Sequence, residues 1–74
     1  MYEKIIDILM EYVNVDADKI TEDTNLKGDL GLNSLQMVNM AVAIEDEFDI
    51  EISDRDASDV ETVGDVKRLI ESLM

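Results

Sequence analysis

The sequence predicts an all-α fold: a small four-helix bundle with three main helices, one short helix and a long first loop. Three observations carry that expectation. Apolar residues recur at helical spacing in three separate segments. Cap-type residues Asn33, Ser53 and Thr62 stand at the starts of the second, short and last helices. Strand-like alternation is confined to "FDIEI", which is too isolated to build a sheet. The 74 residues suffice for one small core, and a hydrophobic share of 46% supports folding despite the charge. No proline, repeat or low-complexity linker divides the chain, so residues 1–74 are expected to form a single domain.

In "YEKIIDILMEYVNV", Ile5, Ile6, Leu9, Met10 and Val13 recur at helical spacing, which predicts a first helix from about Glu3 to Asn14. "DADKITEDTNLKGDLGLN" is sparse in apolar residues and reads as a long loop with a helical turn near its start. Its Ile20, Leu26, Leu30 and Leu32 are expected to pin it to the bundle, since a free loop would leave them in water. The second helix is expected to begin near Ser34 and end near Asp49. Leu35, Val38, Ala41, Val42, Ile44 and Phe48 offer it an apolar stripe. With Asn33 as N-cap, Gln36 falls at N3, an asparagine–glutamine version of the capping box. "EISDRDASDV" predicts a short helix opened by Ser53, with Ile52 and Val60 facing inward. Thr62, with Asp65 three residues on, caps a last helix whose buried face is Val63, Val66, Leu69, Ile70 and Leu73. Lys67 and Arg68 sit in its C-terminal half, where cations are favoured.

Composition narrows the function. Nineteen acidic residues face six basic ones, a net charge of −13. Such a surface repels phosphate backbones and anionic lipid, which argues against nucleic-acid and membrane roles. It suits partners with basic docking patches, although acidity also serves solubility alone. Without cysteine there is no disulfide scaffold and no thiolate metal site. There is no run of about eighteen apolar residues to span a membrane. "MYEKIIDILMEYV" interleaves acidic and apolar residues, unlike a signal peptide, so a cytoplasmic protein is expected, acting as a monomer.

Three places in the chain are candidates for chemistry or binding. Ser34 stands between a glycine-bearing loop and the second helix. Hydrolytic chemistry would need a general base in reach, and the chain has no histidine and no motif pairing a lysine with Ser34. By position alone Ser34 is either a helix cap or an attachment point for chemistry brought from outside. "DTNLKGDLGLNS" begins like a calcium loop, with Asp23, Asn25 and Gly28 at positions one, three and six. It then places Lys27 at position five and Ser34 where a bidentate glutamate is needed, so no metal site is assigned. The crowded carboxylates Glu45, Asp46, Glu47, Asp49 and Glu51 suit only weak divalent binding that relieves repulsion. Met37 and Met40, beside the apolar stripe, are either flexible core filler or an adaptable surface for a partner or lipid.

"DLGLNSLQMVNMAVAIEDEFDIEISD" resembles the acyl carrier protein family, whose pattern is D-L-G-x-D-S-L followed by a helix ending in E-x-x-F-x-[IV]-x-[IV]. Asp29, Leu30, Gly31, Ser34 and Leu35 match, as do Glu45, Phe48, Ile50 and Ile52, and "ITEDTNLKGDLG" and "TVGDVKRLIESL" match in character. The resemblance covers essentially the whole chain and implies one acyl-carrier-like domain, non-catalytic, with a 4′-phosphopantetheine arm on Ser34. A separate phosphopantetheinyl transferase would supply the arm from coenzyme A with magnesium. The missing histidine and cysteine are then unneeded, because the thiol arrives on the cofactor. The implied partners are that transferase and acyl-transferring or acyl-activating enzymes, and Val38, Val42 and Ile52 are candidate lining for an acyl chain. Two departures stand out: Asn33 replaces the usual aspartate, and Gln36 and Asn39 neutralise a normally acidic helix front. They point to a dedicated acyl pathway as readily as to fatty-acid or polyketide synthesis. An aminoacyl or peptidyl carrier remains open. So does a small acidic helical interaction module in which Ser34 is only a cap.

Overall fold

A computed structural model describes all of residues 1–74. Four α-helices, α1 (Tyr2–Leu9), α2 (Ser34–Phe48), α3 (Asp54–Asp59) and α4 (Val63–Leu73), form the bundle, and a single 3₁₀ turn (Ala17–Lys19) interrupts the first loop. There is no strand beyond one isolated antiparallel bridge between Asn25 and Thr62. Helix α1 packs on α2 and α4, and α3 packs on α2. Ile5, Leu9, Leu26, Ile44, Val63, Val66 and Ile70 fill the centre with essentially no exposure.

Helix α1 is shorter than its periodicity predicts. After Leu9 the ladder tightens: Glu11 N–H donates to Ile8 O and Tyr12 N–H to Leu9 O, three-residue bonds that satisfy the last carbonyls while the chain turns. The turn lays Tyr12, Val13 and Val15 half-buried against the core. Met10 therefore faces solvent, and Ile8, which the spacing left out of the stripe, is buried.

The first loop is folded onto the bundle as expected. Ile20, Leu26 and Leu32 are buried, and Leu30 packs half-buried beside them. Backbone bonds lace it to the start of α4: Leu26 N–H to Glu61 O, Val63 N–H to Thr24 O and Gly64 N–H to Glu22 O, at 2.8–3.1 Å. Gly64 permits the last of these, because a Cβ there would lie 3.0 Å from Glu22 O. The Tyr2 hydroxyl donates to Ile20 O and ties α1 to the same loop.

The caps fall where the sequence puts them. Asn33 Oδ1 accepts from Gln36 N–H at 2.8 Å while Gln36 Oε1 accepts from Asn33 N–H at 2.9 Å. Ser53 Oγ accepts from Asp56 N–H and opens α3. Thr62 and Asp65 form the second reciprocal box, and Asp65 Oδ2 also accepts from Glu61 N–H. Helix α2 ends at Asp49, whose left-handed conformation (φ 55) is one that aspartate tolerates better than most residues. Beyond it the Glu45 carboxylate accepts from Ile52 N–H at 2.7 Å, which holds Ile50 and Ile52 against the core.

Which face of α2 is buried differs from expectation. Met37, Met40 and Ile44 are buried and Ala41 and Phe48 half-buried, whereas Leu35, Val38 and Val42 are exposed by 68%, 57% and 49%. Apolar residues surround the first three turns of this helix, so periodicity cannot choose between its faces. In α4, Val63, Val66 and Ile70 are buried as expected, Leu69 is half-buried and Leu73 lies at the exposed end.

Two stability outcomes follow from these contacts. The backbone donors of Glu61 and Thr62, together with the Arg68 guanidinium, hold the Asp65 carboxyl below its usual value. A depressed folded pKa gives stabilisation that is present above the unfolded value, about 3.9, and lost as pH falls through the folded one. Asp65→Asn should therefore lower stability at pH 7, and its deficit against the parent should shrink as urea melts are taken below about pH 4. Thr62→Ala should cost about 0.5–2 kcal/mol at any pH. Separately, only three ion pairs, all at the surface, offset the charge of −13. Raising salt to about 0.1 M, where the Debye length is about 10 Å, should raise the melting temperature.

Candidate functional site

The site forms where the first loop hands over to α2. Asn25 Oδ1 accepts from Lys27 N–H and Gly28 N–H, and Asp29 Oδ2 accepts from Asn25 N–H. Of the side chains that looked like calcium ligands, Asn25 has its oxygen spent on its own backbone. No group of three or more acidic side chains converges on a point where an ion could sit, the Glu45–Glu51 carboxylates included. Gly31 follows with φ 71, a left-handed conformation that glycine adopts without strain. It turns the chain so that Leu32 enters the core and Asn33 faces out.

Ser34 is the first residue of the fifteen-residue α2 and is exposed. Its hydroxyl makes no hydrogen bond within the protein, because the capping is done by Asn33 and Gln36 on either side of it. A purely capping Ser34 is therefore set aside. The backbone N–H groups of Ser34 and Leu35 also have no acceptor within the chain. Two free donors at the positive end of a helix favour an anion by about 0.3–1 kcal/mol.

A cleft of about 240 Å³ opens beside the hydroxyl between α2 and α3. Lys27, Asp54 and Ser58 form its polar rim with Ser34, and Met37, Val38, Ala57 and Val60 its apolar floor. Lys27 pairs with no carboxylate, so its charge is available at the rim. Beneath lies a wholly apolar seam of about 10 Å³, bordered by Met40, Ile44, Ile52, Val66 and Leu69. Of the three residues that suggested an acyl lining, Val38 lines the cleft and Ile52 the seam. Val42 lines neither and faces solvent.

The outward face of α2 is unusual for so acidic a chain. From Ser34 to Ile44 there is no charged residue; Glu45, Asp46 and Glu47 then follow consecutively. At 100° per residue Leu35, Val42 and Asp46 fall on one stripe, with Val38 and Asn39 flanking it. Gln36 has its carbonyl committed to the cap, as its N3 position indicates.

A short helical bundle that presents an unbonded serine at a helix start, beside a cleft between two helices, is the architecture of a carrier domain. The chain belongs to the phosphopantetheine attachment site family, whose model matches residues 3–70. Such a domain is the place of covalent 4′-phosphopantetheine attachment. The fold is that of an acyl carrier protein. It is similar to the solved structure of the acyl carrier protein from Enterococcus faecalis, at 36% identity and a TM-score of 0.87, over 99% of this chain and 92% of that one. The residues around the cleft fit the group: a phosphodiester on a helix-start hydroxyl would meet two free N–H donors and the unpaired Lys27.

The division of labour at the helix start has a direct test. Asn33→Ala should destabilise the fold by about 0.5–2 kcal/mol, as loss of a cap does. Ser34→Ala, removing an exposed and unbonded hydroxyl, should stay within about 0.5 kcal/mol of the parent in urea denaturation.

Proposed function

We propose that residues 1–74 act as one non-catalytic carrier domain and that Ser34 bears the 4′-phosphopantetheine arm, on which acyl intermediates are held as thioesters. The observation that carries this reading is the exposed Ser34 hydroxyl, left without a partner between two residues that do the capping. The arm supplies the thiol. The chain itself supplies the hydroxyl, two N–H donors for the phosphodiester, and a cleft with a polar rim and an apolar floor. No histidine is present to deprotonate Ser34, so the base and the coenzyme A come from a phosphopantetheinyl transferase.

That transferase, and the acyl-transferring or acyl-activating enzymes that follow it, must cover the surface around Ser34. Leu35, Val38 and Val42 give that surface an apolar centre, and the nearest acidic cluster on α2 begins with Glu45 and Asp46. Asp46 lies twelve residues from Ser34, about 18 Å along the helix. Docking on the α2 face next to the serine thus relies on apolar contact, and cations on the partner are met by Asp54 at the cleft rim and by the far end of α2. This surface favours enzymes of a dedicated acyl pathway over those of fatty-acid or polyketide synthesis that seek an acidic helix front. A cytoplasmic monomer suits the role, and no helix is long and apolar enough to cross a membrane.

Incubation with coenzyme A, magnesium and a broad-specificity transferase should add one phosphopantetheinyl group by intact mass. Ser34→Ala should add none while retaining its helical circular dichroism. Modification persisting in that variant would remove Ser34 from the role. In the same assay Leu35→Asp or Val42→Asp should raise KM for the carrier several-fold with kcat little changed. Charging the front by Asn39→Glu and Gln36→Glu, which keeps the reach of the cap, should add a salt-sensitive gain with strongly basic transferases. Exposed pairs contribute about 0.2–1 kcal/mol each. A parent whose KM climbs steeply from low to moderate salt would contradict apolar docking at the serine.

A further inference from the structure

The wide cleft and the narrow seam share one wall, made of Met37 from α2 with Ala57 and Val60 from the α3 side. Met37 stands one turn beyond Ser34, is 8% exposed and borders both spaces. We infer that the Met37 side chain is the partition between them. With methionine in place, an acyl chain carried on the arm lies in the cleft and does not pass into the core. This inference rests on the reading that Ser34 carries the arm.

Volume and chemistry support it. The seam, about 10 Å³, is at the lower limit for a single water. A chain could enter only by spreading side chains packed at interior density, which strains them. The cleft is already open and some twenty-fold larger, about 240 Å³ against about 10 Å³. It offers one apolar side and one side of Lys27, Asp54, Ser58 and water. That lining suits a short acyl group, or one bearing polar substituents. A long saturated chain would outrun the apolar floor and leave its last methylenes in solvent. Methionine is the adaptable part of the wall, since its unbranched thioether fills irregular gaps and leaves no packed branch at Cβ. Cargo length is therefore limited at this wall, with Met37 as its adaptable member.

The test uses the parent and its variants loaded by transferase from acyl-coenzyme A with butyryl, octanoyl and dodecanoyl chains. Intact mass establishes loading first. Failure to load speaks against Ser34 as the attachment point, whereas the following outcomes, read on loaded protein, speak only to the partition. In the parent the melting temperature should not rise from butyryl to dodecanoyl, and chain methylenes should show no NOE to Ile44 or Val66. In Met37→Ala the cleft and seam join, so the melting temperature should rise with chain length and NOEs to Val66 should appear. Met37→Leu, which restores bulk, should behave as the parent. If Met37→Ala fails to fold, Val60→Ala opens the same wall from the other side and should give the same gain. A parent stabilised progressively by longer chains, with NOEs to Val66, overturns the inference. So does a folded wall variant that gains nothing from length.

Discussion

The position of the site depends on the burial of a loop. Ile20, Leu26 and Leu32 lie on a segment with only one short 3₁₀ turn, yet they are as deeply buried as the helices' own side chains. Burying a leucine or isoleucine is worth about 1.5–3 kcal/mol, but the backbone carried inward with it needs hydrogen-bond partners. The first turn of α4 and the residue before its cap supply them, through Glu61 O, Val63 N–H and Gly64 N–H. Once the loop is laced there, Leu32 is anchored in the core, Asn33 is held at the surface, and α2 can start only at Ser34. A longer side chain at Gly64 would push Glu22 away and loosen the whole arrangement.

Around Ser34 the structural duties are taken by its neighbours. Asn33 and Gln36 close the helix start with a neutral reciprocal pair, so the cap persists at any protonation state of the surface. A capping aspartate would place a negative charge next to the hydroxyl proposed to carry the phosphodiester. Asparagine would leave the helix end, its free N–H groups and Lys27 to stabilise that charge. The cost is a helix front with nothing acidic to attract a basic partner. That front instead exposes the aliphatic side chains of Leu35, Val38 and Val42.

Much of this was legible in advance, for local reasons. Caps depend on residues three apart, and the Asn33–Gln36, Ser53–Asp56 and Thr62–Asp65 contacts all form as their spacing indicates. The matches to the acyl carrier pattern also acquire physical roles. Asp29 accepts from Asn25 N–H, Gly31 takes the left-handed turn, and Glu45 accepts from Ile52 N–H to seat the segment after α2. The stop of α1 at Leu9 was not legible, because Met10 and Val13 continue its periodicity. What ends the helix is a turn that brings Tyr12, Val13 and Val15 against the core, a packing choice that helical spacing does not encode.

The sequence by itself determined the helical class, the caps, the long pinned loop and the resemblance that singles out Ser34. All of these rest on short-range spacing, or on motifs whose residues act within a few positions of one another. Tertiary structure decided the rest. It chose Met37, Met40 and Ile44 over Leu35, Val38 and Val42 for the core, because a helix apolar on both sides takes its orientation from what it packs against. By that choice it placed an aliphatic stripe in solvent beside Ser34 and a methionine between the cleft and the seam. Both consequences arise from contacts among the first loop, α2, α3 and α4. Contacts between segments so far apart in the chain have no signature in the periodicity of any one of them.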